Sequence, residues 1–353
     1  MYSPSDEFYD FVRKGQEGHN VGTPFTIDPF NRLVEGVLPD TYYLILGPSG
    51  SGKSSLVYEQ FIFNFIDAVY EGTMDVNDIV IVLFSLEIKT TKFYSKASAR
   101  FIYKTFKKLI STRDIANSKG NTSDLIYKMI YGKKLKKYLE ILDKVVKIYT
   151  RTSAITAFVN LGKILAPLST EIRKDAEGRS MYKFKNDNLK VITVLDHISL
   201  TDEAKGEVLK KTIDNISKKV FVRYRNSHGI TPVVLQQITP SEDNMKKVVY
   251  SHKDARDSKN TYHDCDVCLS IGSPLEAEKI SIPVKGGRYF IMEDEANGFI
   301  GLEDRARVVA KEKDREGASF KQVIVGFIGE CAMFTDLGHP ENVDYEFYKN
   351  LGK

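Results

Sequence analysis

The 353-residue sequence has no apolar run approaching the ~18 residues that crossing a membrane requires. Its longest such run, "DIVIVLFSL", has the length of one buried strand. The opening "MYSPSDEFYDFVRKGQEG" carries acids early and lacks an apolar core, so no signal peptide is read there. Cysteine is scarce: Cys265, Cys268 and Cys331 form no regular framework, which excludes a secreted disulfide scaffold and predicts a reducing, cytoplasmic setting. Strong charge of either sign is also missing, since 51 basic against 47 acidic residues give a net +4. That balance identifies no partner, because a nucleic-acid binder needs its cations on one surface and not a high total. No self-similarity at a solenoid period is present.

What is present is a globular composition, 42% hydrophobic and 28% charged, on a chain long enough to bury a large core. From residue 41 strands and helices alternate. "TYYLILG", "NDIVIVLFSLE", "VVKIYT", "KVITVLDHISL" and "TPVVLQQI" read as strands. Between them lie the helical "KSSLVYEQFIFNFIDAVYEG", a Lys- and Tyr-rich helical region over 90–147, "AITAFVNLGKILAPL", and "EVLKKTIDNISKKVFVRYRNSHG". Further strands close the chain in "DCDVCLSIG", "RYFIMEDE", "RARVVAKEKD" and "FKQVIVGFIGECAMF". The pattern predicts an α/β fold: a twisted, mainly parallel sheet flanked by helices, with β additions at the C-terminal end. We expect an N-terminal arm and linker over residues 1–22, one main domain over 23–345 and a tail over 346–353. Ser3-Pro4 starts the arm as a short helix with Phe8, Phe11 and Val12 on one stripe. That stripe suits either packing on its own domain or docking on a neighbouring subunit.

Gly47-Pro48-Ser49-Gly50-Ser51-Gly52-Lys53-Ser54, followed by Ser55, fits the P-loop spacing without mismatch, after a strand and before a helix. Glycines let backbone N–H groups close on phosphate oxygens, and the helix start adds its positive dipole end. Lys53 would reach the outer phosphates of ATP and the Ser54 hydroxyl would hold Mg²⁺. Asp196 ends a wholly apolar strand, where an acid meets ligand at the carboxyl edge of such a sheet, and is the second metal-side residue. The next residue is His197, read as a surface or packing histidine, so the catalytic base must come from another strand. Glu87, after "VLFSL", is the candidate to orient and deprotonate the attacking water. Gln236 and Gln237 end a third apolar strand, and alternation points one of them at the nucleotide edge.

These residues, in this order, resemble the RecA-type ATPase domain of DnaB-like replicative helicases, a P-loop NTPase fold. The resemblance runs over residues 22–340, through "TIDPFNRLVEGVLPDTYYLILG", "SLE", the strand-ending Asp and Gln, "DARDSKNTYHDCDVCLSI" and "VVAKEKDREGASFKQVIVGFIGECAMFTDL". It implies a ring, a hexamer, that hydrolyses ATP at subunit interfaces and translocates along single-stranded DNA in replication, with replisome proteins as further partners. It makes Glu87 the catalytic glutamate, Asp196 the magnesium-side aspartate, Gln237 the sensor and Arg256 a residue of the DNA-facing loop. The family's last basic strand carries Lys-x-Arg, whose Arg enters the neighbour's site. Here the stretch is Lys311-Glu312-Lys313-Asp314-Arg315, with strict alignment putting Lys313 at that position and a two-residue offset putting Arg315 there. Lys311 would join the same nucleotide contact. Only the residues up to Asp40 precede the P-loop strand, so the primase-contacting N-terminal domain of such helicases is not within this sequence.

The polar loop from Thr239 to Asn260 holds Lys253, Arg256 and Lys259, which in a ring would track DNA phosphates. "KKLKKYLEILDKVVK" is basic, but Leu135, Leu139 and Leu142 share one face, which fits an amphipathic helix between core and solvent. Cys265-x2-Cys268 runs into a strand, which suits buried thiols better than a metal site. A recombinase-like DNA-dependent ATPase, and a loading or binding protein switched by nucleotide without unwinding, remain the other readings.

Overall fold

The computed structural model describes residues 4–116, 123–175, 177–203, 208–293, 298 and 300–351. Its strands, in chain order, are β1 (Tyr43–Gly47), β2 (Ile79–Ser85), β3 (Val146–Tyr149), β4 (Ser169–Lys174), β5 (Ser180–Phe184), β6 (Lys190–Asp196) and β7 (Thr231–Gln237). The chain continues through β8 (Val267–Gly272), β9 (Ser281–Val284), β10 (Gly287–Phe290), β11 (Ala306–Asp314), β12 (Lys321–Ile328) and β13 (Met333–Thr335).

Among the described residues nine of these form one sheet in the order β13-β12-β11-β8-β1-β7-β6-β2-β3. From β3 to β8 neighbouring strands run parallel; β11, β12 and β13 add on antiparallel. The expected β additions are these three strands and the separate β9–β10 pair. The β4–β5 hairpin was not legible in advance, because "STEIRK" and "SMYKF" show neither an apolar run nor a clean alternation.

The central parallel strands are largely apolar because both faces are covered, while the edge strand β3 is partly exposed. Tyr43 and Ile45 of β1 face one core, with Phe61, Phe65, Leu83, Phe101 and Leu142. Tyr42, Leu44 and Leu46 alternate onto the other, with Phe84, Leu161, Ile213 and Phe221. The first core is roofed by a helix over residues 53–71 and by Thr90–Phe106 and Lys133–Val145. The second is roofed by Ala154–Leu165 and a helix over 209–228. Both long helices contain one π-helical turn, Tyr58–Phe63 in the first and Ser217–Val222 in the second. Such turns widen the backbone by one residue and redirect the side chains they carry.

The N-terminal helix Pro4–Gln16 buries none of its described residues: Phe8, Tyr9 and Phe11 are each about three-fifths exposed or more. The breadth of the fold therefore comes from one sheet whose parallel carboxyl ends share an edge, where Gly47 lies level with Gln237 and Ser85 with Asp196.

Candidate active site

Strand β1 delivers five buried residues and then a turn that only glycine can make. A Cβ on Gly47 would sit 2.5 Å from the Ile271 carbonyl oxygen of β8. Gly52, at φ +95°, is in the left-handed region that side chains avoid, and the helix begins at Lys53. The Lys53 ammonium and the Ser51 hydroxyl both donate to the Pro48 carbonyl, at 2.5 and 2.9 Å. Lys53 is buried, and loss of hydration lowers its pKa to about 8 against the opposing pull of Asp196, Glu87 and Glu276. Ser49 and Gly50 are exposed, Ser54 is half-buried and Ser55 is buried, so the loop opens to solvent along one side.

Arg307 of β11 was not singled out by sequence, yet it underpins the loop. It is 2% exposed, donates Nε to the Ser51 carbonyl at 2.9 Å, and stacks its guanidinium on Phe327 at 4.5 Å. Burial pushes its pKa down, with Asp304 opposing. Nothing in "RARVV" distinguishes this Arg from a surface one.

Asp196 closes β6 and is 1% exposed. Its Oδ2 accepts from the Tyr58 hydroxyl at 2.6 Å, and its Oδ1 is buried without a hydrogen-bond partner. Glu87 lies just beyond β2, exposed, with its backbone N–H donating to the Asp196 carbonyl at 3.3 Å. The two acids thus come together as expected, from adjacent parallel strands. Lys96, on the helix that follows Glu87, stands over the Tyr58 ring at 6.0 Å. Desolvation lowers its pKa, and Asp196 and Glu87 are the acids that oppose it.

His197 is not a surface residue. It is 6% exposed, its Nε2 lies 3.3 Å from the Gln237 amide nitrogen, and its Nδ1 has no partner. Burial lowers its pKa, so neutral imidazole is favoured although Glu87 and Asp196 pull the other way. Strand alternation divides the two glutamines by task. Gln236 is wholly buried; its amide donates to the Arg256 and Ser258 carbonyls and its oxygen accepts from Thr261. Gln237 faces His197 and accepts from Arg256 at 3.5 Å, while the Arg256 N–H donates to the Gln237 carbonyl at 2.9 Å.

The 239–260 loop is therefore tied to the end of β7 and is internally bonded. Asp254 accepts from Lys247, Ser251 Oγ and the Ser251 N–H, and these contacts hold its carboxyl below the usual range despite burial. Lys253, Arg256 and Lys259 are exposed. On β11, Lys311 is 4% exposed and paired with Asp314 at 2.6 Å. Lys313 donates to the carbonyls of Tyr262, His263 and Cys265, the C-terminal end of a short helix, and stacks on Tyr262. Arg315, beyond a register shift between Lys311 and Lys313, is nearly half exposed and bonds Asp266 and the His263 carbonyl. Cys265 and Cys268 are fully buried, and no cluster of three or more potential metal-ligating residues occurs among the described residues. No helix among them is long and apolar enough to cross a membrane.

No protein-family model and no curated protein matches this chain. Solved structures do. One of them, described as an ATPase domain, superposes with a TM-score of 0.63 over 94% of this chain and 98% of that one, at 17% identity. A DnaB-like replicative helicase, described with its interactions with primase, gives 0.63 over 95% of this chain and 67% of that one, at 16% identity. At such identities the likeness establishes the fold, the α/β fold of RecA-like ATPase domains.

Proposed function

We propose that this chain is an ATP-driven DNA helicase of the DnaB-like kind, acting as a ring in replication and hydrolysing ATP between subunits. The observation that carries the reading is the convergence at one sheet edge of a P-loop, two acids on adjacent strands, and a glutamine from which an exposed basic loop hangs. The structural similarity to a DnaB-like helicase supports it.

Backbone N–H groups of 49–54 and the Lys53 ammonium would bind the phosphates of ATP. Ser54 and Asp196 fit a magnesium ion: Asp196 Oδ1 is a buried acceptor with no bond of its own. When bound, that ion offsets phosphate charge. Glu87 orients the attacking water and takes its proton. Gln237 reads the outer phosphate and passes its loss to the loop through its two contacts with Arg256. Lys253, Arg256 and Lys259 would meet the DNA backbone without reading sequence. For the cation entering a neighbour's site, the contacts favour Arg315. Three carbonyls of its own chain engage Lys313, whereas Arg315, although it bonds Asp266 and the His263 carbonyl, is nearly half exposed just past the strand end. The apolar face of Pro4–Gln16 supports assembly, since Phe8, Phe11 and Val12 are left exposed by their own subunit and would be covered by a neighbour.

The test is ATP turnover with and without single-stranded DNA, together with forked-duplex unwinding. Stimulation and unwinding are expected, and Glu87→Gln should cut kcat by about 10²–10³-fold while ATP still binds. Turnover by an assembled oligomer that DNA does not stimulate, with no unwinding, overturns the reading. The engagement of Lys313 within its own subunit favours one alternative, a nucleotide switch with slow turnover. Tight ATP-dependent partner binding without unwinding would mark it.

A further inference from the structure

The acid proposed to sit beside magnesium does not hold its own orientation: a phenol outside every nucleotide motif does. Tyr58 is the fifth residue after Lys53 on the same helix and the first of the π-helical turn Tyr58–Phe63. It is completely buried, packed edge-on against Phe93 at 5.2 Å and Phe63 at 6.4 Å, so its ring has little freedom. Its hydroxyl donates to Asp196 Oδ2 at 2.6 Å, a charge-assisted bond at the short end of the range. Ser85, level with Asp196 on β2, is buried, and its hydroxyl donates to the Ile88 carbonyl. The other carboxylate oxygen, Oδ1, is buried and unpaired. A carboxylate left with one buried oxygen free and the other fixed presents that free oxygen in a single direction.

We propose that Tyr58 is a positioning residue for the metal-side carboxylate, fixing the rotation of Asp196 so that Oδ1 alone faces the magnesium-bound nucleotide. This rests on the nucleotide-site reading above and adds a partner that no motif predicts. Groups that orient a metal ligand typically contribute about 10–100-fold to metal affinity. The placement also joins the P-loop helix to the acid-bearing strand directly, so phosphate binding at Lys53 and metal binding at Asp196 share one rigid body.

Tyr58→Phe removes the hydroxyl and keeps the ring packing. Binding of a fluorescent ATP analogue is measured in EDTA and across a magnesium titration, with thermal melting as a check on folding. The expected result is unchanged affinity in EDTA, a single cooperative melt lowered only by the loss of one buried hydrogen bond, and a magnesium midpoint raised about 10-fold. In an Asp196→Asn background the same change should add nothing further, because the two side chains act as one unit. An unaltered magnesium midpoint in Tyr58→Phe, or full additivity with Asp196→Asn, overturns the inference and leaves the nucleotide site standing. A wild-type chain that binds the analogue equally with and without magnesium overturns the metal assignment and this inference together.

Discussion

At the scale of single residues, much of the site is backbone geometry written as glycine. Gly47 passes so close to β8 that a methyl group would press on the Ile271 carbonyl, a main-chain atom that cannot swing away. Gly47→Ala is therefore expected to lower stability by about 1–3 kcal/mol in chemical denaturation and to weaken nucleotide binding as the loop shifts. The P-loop was legible because its spacing is local and its glycines have no other use. Asp196, Glu87 and Gln237 were legible because each ends an apolar run at the same sheet edge. Tyr58 and Arg307 were not, since an aromatic among apolar residues and an Arg in a strand look like core and surface. Of the two readings of His197, surface or packing, burial selects the second, although no sequence pattern shows its contact with Gln237.

At the scale of elements, the strands of the parallel sheet were legible as apolar runs alternating with helices, whereas two features have no such signature. The π-helical turns leave no mark on amphipathic spacing. The β4–β5 hairpin makes contacts distant in sequence, among them the stacking of Tyr182 on His228 at 4.2 Å and 15°. Burial lowers the His228 pKa from 6.5 to about 4. The unfolded chain takes up this proton near 6.5 and the folded chain only near 4. The contribution of neutral His228 is thus complete above pH 6.5 and lost as pH falls toward 4. His228→Asn should reduce the fall in Tm between about pH 7 and about pH 4.5, followed by calorimetry on both proteins. An equal fall in the two would show that the stacked pair carries no such coupling.

At the scale of the whole molecule, the Pro4–Gln16 helix contributes none of its described residues to the core, while its apolar stripe is intact. Deleting residues 4–16 should leave the melting transition within a few degrees of wild type, because little buried area is lost. Mass photometry should find the assembled species reduced to smaller ones. Persistence of the full assembly would assign subunit contact to other surfaces. The two arrangements weighed for this arm from sequence differ only in what covers Phe8 and Phe11, and a pattern along one chain carries no record of the chain beside it.

The edges of the large sheet bear on how such an assembly could move. Its outer strands, β3 and β13, are only four and three residues long. Edges this short offer little main-chain template for another copy. Subunits of the proposed ring would then meet through side chains and helices, with no hydrogen-bonded ladder continued from the edges of this sheet. Contacts of that kind can slide and be remade singly, whereas a continued sheet would lock every neighbour into one register. In the ring proposed above, interfaces of that kind would be free to open one at a time.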